Sequence, residues 1–236
     1  MCLRKSVGNM YPWVTHTFNA IKGRCYHRCH YCYMKRFWNR MNKPYLDEKC
    51  LRVNLGEGNI IFVGSSIDMW ANNIPKAWIQ KVIDYCRKFP NTYLFQSKNP
   101  IRFIEFAREL SDMDIILGTT IETNRNYNFT KAPQPSERAR YMELCRKIMG
   151  KPIMVSIEPV MDFDLKVMVA WMKTINPEFV SIGADSKHNN LPEPPAEKIQ
   201  SLIDELKKFT EVKVKDNLRR LLGGENGLSG NICNSG

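Results

Sequence analysis

Short apolar runs alternate with longer amphipathic stretches along this chain, and that alternation restricts it to a narrow set of folds. Residues 13–18 (WVTHTF), 59–63 (NIIFV), 92–96 (TYLFQ), 115–121 (IILGTTI), 152–157 (PIMVSI), 179–182 (FVSI) and 212–215 read as strands. They are rich in β-branched and aromatic residues and are bounded by Gly, Pro, Asn and Asp. Between them the pattern predicts helices over 33–41, 75–89, 101–110, 136–149, 165–175 and 195–209. In the second of these, Pro75 suits the first turn, and Trp78, Ile79, Val82, Ile83 and Cys86 share one face. Strands separated by helices imply parallel pairing with right-handed crossovers, and near-continuous apolar strands fit a sheet covered by helices. Two architectures satisfy this order: an open doubly wound sheet, or a (β/α) barrel, complete or partial. At 236 residues the chain falls slightly short of the ~250 typical of a closed eight-fold barrel.

In either architecture, chemistry gathers at the carboxyl ends of the strands. Those positions carry Gly64, Ser65 and Ser66 with Asp68, then Ser97 and Lys98, Glu122, Glu158, Asp185 with Lys187, and Lys215 with Asp216. Their recurrence points to a polar pocket on one rim. No linker or composition break divides the chain, so one domain is expected over 1–222, followed by a flexible Gly-rich tail over 223–236. An apolar fraction of 43% excludes a disordered chain. The longest apolar run, 167–172, is far below the ~20 residues of a membrane span, and the N-terminus has no signal-peptide core. A cytoplasmic, monomeric protein with no membrane partner is expected.

The net charge is +11, and it is concentrated. Residues 1–52 hold eleven Lys and Arg against Asp47 and Glu48 alone, a local +9. A block of this size suits an anionic partner, a nucleic acid or nucleotide first, although a solvated basic surface has the same composition.

Eight cysteines are many for such a chain, and without a secretory signal a disulfide framework is not expected. Cys2, Cys50, Cys86, Cys145 and Cys233 are scattered, whereas Cys25, Cys29 and Cys32 form a C-x3-C-x2-C cluster within eight residues. Three thiolates on one loop can converge on a metal centre. A structural zinc site wants four closed ligands, which His27, His30 or Cys50 could complete. An ordinary iron–sulfur cluster also wants four cysteines. Three leave one iron open for chemistry.

The motif Cys25-Tyr26-His27-Arg28-Cys29-His30-Tyr31-Cys32, in the loop after a first strand, resembles the signature of the radical S-adenosylmethionine (SAM) superfamily, with Tyr31 in the aromatic slot. The segments THTFNAIKGRCYHRCHYCY, FVGSSIDMW, LFQSKNP, LGTTIETN, VSIEPVMDF and FVSIGADS extend the resemblance over roughly residues 11–216. They are similar to a phage- and prophage-associated family of uncharacterised function related to spore photoproduct lyase. The resemblance implies a partial (β/α)6-type TIM-like barrel. It further implies a 4Fe–4S cluster held by Cys25, Cys29 and Cys32, with SAM chelated at the open iron. Reduction by a flavodoxin- or ferredoxin-type donor would split SAM to a 5′-deoxyadenosyl radical that abstracts hydrogen from a substrate.

The same resemblance implies roles for individual residues. Tyr31 meets the adenine, and Gly64, Ser65 and Ser66 contact the SAM amino group where the superfamily usually has Gly-Gly-Glu. Lys98 pairs with the SAM carboxylate, Glu122 accepts from the ribose hydroxyls, and Glu158 contacts SAM or substrate. Asp185 and Lys187 are substrate-side candidates. His16 and Trp70 stand between structural and site roles. The methionines at 142, 149, 154, 168 and 172, with Cys86 and Cys145, read as core filling. No cysteine can be assigned as the hydrogen-atom donor that spore photoproduct lyase uses. Two other readings use the same residues: a non-catalytic, zinc-stabilised nucleic-acid-binding module, and a radical SAM activase whose substrate is another protein.

Overall fold

The computed structural model describes residues 2–7 and 11–223. Among the described residues there are ten strands: β1 (Leu3–Lys5), β2 (His16–Phe18), β3 (Ile21–Lys22), β4 (Tyr45–Leu46), β5 (Ile60–Val63), β6 (Thr92–Ser97), β7 (Ile115–Thr120), β8 (Ile153–Ile157), β9 (Phe179–Ile182) and β10 (Glu211–Val214). Six α-helices follow in the same way: α1 (Lys76–Cys86), α2 (Ile101–Ile104), α3 (Ala107–Leu110), α4 (Pro135–Met149), α5 (Leu165–Ile175) and α6 (Ala196–Lys207). Eight strands make one sheet in the order β1-β2-β5-β6-β7-β8-β9-β10, and β3 pairs with β4 apart from it. From β2 onward every pairing in the large sheet is parallel. The order never reverses, as it must at the switch point of a doubly wound sheet. With β1 and β10 left at its two ends, the sheet is a partial barrel rather than a closed one.

The helices cover this sheet with the faces their sequence spacing predicts. In α1, Ile79, Val82, Ile83 and Cys86 are buried against Ile61, Val63 and Phe95 of the strands. Each fully buried side chain of this size contributes about 1.5–3 kcal/mol. Helix α4 opens on a capping box between Gln134 and Glu137 and stops at Gly150, whose φ of 60° is left-handed. Met142, Met154, Met168, Met172, Cys86 and Cys145 are core residues as expected, and Met149 is half-buried against the core. No helix among the described residues is long and apolar enough to cross a membrane. The anticipated tail lies outside the described residues apart from Gly223.

Four features differ from the sequence reading. Strand β1, antiparallel to β2, and the β3–β4 pair were not expected; strands of two or three residues carry no periodic signal. The segment Tyr33–Arg40 is a 3-10 helix that buries none of its residues, so no packed face forces α geometry on it. The helix expected over 101–110 is broken into α2 and α3 at Phe106, whose backbone leaves helical values (φ −121°, ψ 20°) while its ring and that of Phe103 pack on Trp70 at centroid distances of 5.6 and 4.8 Å. Finally, Cys2 and Cys50 form a disulfide, contrary to expectation. Pairing of β1 onto β2 brings Cys2 beside Asn19, whose neighbour Ala20 accepts from the Asp47 N–H, and this delivers Cys50 to the same spot. Cys50 is therefore not an available metal ligand.

Candidate active site

The carboxyl ends of the parallel strands surround a cavity of about 550 Å³. Cys25, Cys29, Tyr31 and Cys32 line it, as do Gly64, Ser65, Ser66, Lys98, Glu158, Asp185 and Lys187. Of the residues singled out from the sequence, Glu122 does not line the cavity but stands behind Lys98 and Tyr31.

The cysteine loop leaves β3 at Gly23, where the backbone has φ 110° and an added Cβ would lie 2.6 Å from the Lys43 carbonyl oxygen. Only glycine permits that approach, which lets Arg24 N–H donate to Asn42 at 3.0 Å and closes the base of the loop. Gly23→Ala is expected to cost about 1–3 kcal/mol of folding stability, read as a lowered urea midpoint. Further on, Cys32 N–H donates to the Cys29 carbonyl at 3.0 Å. A second segment, from the loop after β7, lies along the cysteines. His30 N–H donates to Phe129 O at 2.7 Å, and Lys131 N–H donates to His27 O at 2.7 Å.

Cys25, Cys29 and Cys32 form no disulfide. Cys29 is buried, and the other two are half-buried. Burial pushes the Cys25 thiol up to about 12, with the nearby Asp68 carboxylate adding to the rise against backbone N–H donors from Asp68 and His27. Burial likewise raises Cys32, opposed by the backbone N–H of Met34 and the charge of Lys98. Burial thus favours the protonated thiol at Cys25 and Cys32, and a bound cation would displace those protons.

Asp68 joins three strand ends. It accepts from His27 Nε2 at 2.9 Å, Ser97 Oγ at 3.0 Å, Lys98 N–H at 2.8 Å and Trp70 N–H at 3.0 Å. Burial alone would raise its carboxyl, but His27 and the two backbone donors hold it below the ordinary range. The Gly64-Ser65-Ser66 turn is fixed by Asn19, which accepts from Ser66 N–H at 2.9 Å and Ser66 Oγ at 2.8 Å and donates to Ser65 Oγ at 3.0 Å. Gly64 has φ 80°, and a Cβ there would stand 3.2 Å from Ile67 O.

A buried charge node backs the cavity. Glu122, 1% exposed, pairs with Lys98 and accepts from the Tyr31 hydroxyl through one oxygen, and it meets Arg138 Nη1 at 2.7 Å through the other. Arg138, also 1% exposed, reaches the carbonyls of Thr120 at 2.8 Å and Pro133 at 2.7 Å. Burial opposes ionisation of Glu122, yet Arg138 and Lys98 hold it down at about 2. Its oxygens are thus engaged within the protein, and it fixes Tyr31 and Lys98 in place. Elsewhere in the cavity, Glu158 meets Lys215 Nζ at 2.7 Å. Gly183 makes room for Glu158: a Cβ would come within 3.0 Å of its carboxyl carbon. Tyr11, buried with Lys215 Nζ over its ring, donates to Gln96 Oε1 at 3.0 Å.

Other candidates resolve into structural places. Trp70 is fully buried among Phe95, Phe103 and Phe106 and faces no substrate. His16 is half-buried and meets Thr15 Oγ1 at 3.0 Å. Asp185 holds its own loop, accepting from Asn189 Nδ2 at 2.7 Å and Lys187 N–H at 3.0 Å, while the Lys187 side chain is exposed at the mouth. Asn19, Tyr11, Gln96 and Arg138 were not found from the sequence. Only their distant partners reveal them.

No family model matches the chain, and no curated protein matches it in sequence. Its fold, however, matches that of radical SAM enzymes. A spore photoproduct lyase variant with bound AdoMet and dinucleoside spore photoproduct superimposes with a TM-score of 0.63 at 10% identity, covering 89% of this chain and 78% of that one. SuiB of Streptococcus suis, bound to the precursor peptide SuiA, gives 0.60 at 10% identity over 84% of this chain and 48% of SuiB. The enzyme anSMEcpe, with AdoMet and the peptide Cp18Cys, gives 0.55 at 13% identity over 90% and 66%. At these identities the likeness is one of fold: the chain has the α/β architecture of the radical SAM partial barrels.

Proposed function

We propose that this chain is a radical SAM enzyme acting on a nucleic-acid base or nucleotide. The observation that carries the reading is the placement of Cys25, Cys29 and Cys32. They lie together, free of disulfides, on the wall of the cavity at the carboxyl ends of a radical SAM-type partial barrel.

The residues fit a cluster better than a single ion. One zinc at ~2.3 Å from each ligand brings sulfurs to within roughly 4 Å of one another. Among the described residues, the one trio of His, Cys, Asp or Glu whose ligand atoms lie within 4.8 Å of one another is Cys2, Asp47 and Cys50, not the cavity cysteines. Cys2 and Cys50 are joined to each other, and Asp47 is paired with Lys22. Of the histidines that could complete a zinc site, His30 is engaged at both ring nitrogens, with the Asn189 carbonyl and Lys35, whereas His27 pairs with Asp68 through Nε2 and keeps its buried Nδ1 without a hydrogen-bond partner. A 4Fe–4S cluster with SAM at its open iron would supply one-electron cleavage of SAM and hydrogen abstraction from the substrate.

The protein's own part is positioning and exclusion of water. Asp68 and His27 tie the cysteine loop to the neighbouring strand ends. The Gly64-Ser65-Ser66 turn offers backbone and hydroxyl groups to the SAM amino group. Lys98, steadied by Glu122, offers a cation to its carboxylate, and Tyr31 offers a ring to its adenine. Glu158 with Lys215 is assigned to the substrate side.

The nucleic-acid assignment rests on the rim. Tyr26, Tyr33 and Phe37 are exposed beside Arg28, Lys35, Arg36 and Arg40, and Arg36 Cζ lies 4.6 Å over the Phe37 ring. Aromatic faces interleaved with cations suit stacked bases and phosphates. Two of the structural neighbours are bound to peptides, but among the described residues this aromatic and basic rim favours the nucleic-acid reading over the protein-activase one. Anaerobic reconstitution is expected to load on the order of four irons with as many sulfides per chain, without zinc. Binding to a single-stranded oligonucleotide is expected to weaken steeply as salt rises. Zinc alone in the purified protein would overturn the enzyme reading; salt-insensitive binding would overturn the nucleic-acid part alone.

A further inference from the structure

Thr130 lies 101 positions from Cys29 in sequence, yet its hydroxyl oxygen is 3.3 Å from the Cys29 sulfur. The same hydroxyl stands 3.1 Å from the His27 carbonyl and accepts the Ala132 N–H at 3.1 Å. It belongs to the segment that runs along the cysteine loop, where Lys131 N–H also reaches His27. The hydroxyl has one proton and two acceptors within reach. While Cys29 is a thiol, the sulfur can itself donate, and the Thr130 proton goes to His27 O. Once Cys29 ligates a metal it is a thiolate, which only accepts, and an anionic acceptor forms the stronger bond. The Ala132 N–H on the hydroxyl oxygen polarises the O–H further.

We propose that Thr130 is a positioning residue that donates an O–H···S hydrogen bond to the Cys29 thiolate and thereby raises the reduction potential of the iron–sulfur group that Cys25, Cys29 and Cys32 would hold. This rests on the cluster reading given above. The electron comes from an external one-electron reductant, and no proton leaves Thr130. Reduction puts more electron density on the sulfurs, so a donor at Cys29 stabilises the reduced form more than the oxidised form. Cys29 is 8% exposed, and water is poorly placed to substitute for a lost hydroxyl.

The test is a pair of variants in the reconstituted full chain. Thr130→Val keeps the shape and removes the donor; Thr130→Ser keeps the donor. Potentiometric titration with dithionite, followed by EPR, is expected to show Thr130→Val shifted to lower potential. The shift corresponds to about a tenfold fall in the reduced-to-oxidised ratio at fixed potential, about 59 mV for one electron. Thr130→Ser is expected to stay at the wild-type value. An exchangeable proton coupling in the reduced protein should be present in wild type and Ser and lost in Val. A fully loaded Val variant with wild-type potential and coupling would overturn this proposal alone, as would Ser and Val shifting alike. A wild-type chain that takes up no iron and sulfide would overturn the cluster reading, and this proposal with it.

Discussion

Arg138→Met is expected to lower folding stability by about 3–5 kcal/mol, a large share of the 5–15 kcal/mol that holds a domain of this kind together. The guanidinium is 1% exposed and meets a carboxylate that is equally buried. Removing it leaves Glu122 ionised in the interior with Lys98 as its remaining cation, and it orphans the carbonyls of Thr120 and Pro133. Glu122→Gln in the Arg138→Met background removes the stranded charge and is expected to recover part of the loss. Chemical denaturation of the four proteins measures the coupling directly. The pH dependence has a definite sign. Glu122 is depressed from 4.5 to about 2, so its contribution is complete above about 4.5 and is lost as pH falls towards about 2. A Glu122→Gln protein should lack that acid-labile component. The same lesion reaches the cavity, because Glu122 holds both Tyr31 and Lys98.

The second large effect is on metal content. Alanine at Cys25, Cys29 or Cys32 is expected to reduce iron and sulfide uptake on anaerobic reconstitution to near background, since two thiolates cannot hold what three share. Alanine at Cys86 or Cys145, both buried in the core, should leave loading unchanged while costing some stability. The paired Cys2→Ser and Cys50→Ser change should also leave loading unchanged, because that disulfide stands apart from the cavity lining. Loss of iron in these control variants, or its retention after a cavity cysteine is removed, would separate the metal from the motif.

The parts of the fold legible in the sequence are those written in periodic runs. Strands β5 to β9 are buried apolar segments, and α1, α4, α5 and α6 carry one-sided faces, so residue spacing finds them. The choice between barrel and doubly wound sheet is not in the runs, because strand order is a property of the pairing. Strand β1 is three residues long and exists because β2 offers an edge. The site divides in the same way. Cys25, Cys29 and Cys32 announce themselves by spacing, and Asp68, Lys98 and Glu158 by following strands. Arg138 reads as one more arginine in a helix, Asn19 as a loop residue, and Thr130 as part of a polar linker. What each does depends on a partner far away in sequence, Glu122 for the first, Ser66 for the second and Cys29 for the third. Glu122 shows the limit from the other side. Its place after a strand suggests a ligand contact, but burial and three protein partners make it a support for the residues in front of it.

The most direct test of the central claim is reductive cleavage of SAM. The reconstituted chain, reduced anaerobically with dithionite and given SAM, is expected to release 5′-deoxyadenosine detectable by mass spectrometry, and Cys29→Ala is expected to release none. A protein carrying its full iron and sulfide that forms no 5′-deoxyadenosine, and whose EPR spectrum does not change when SAM is added, would contradict the account.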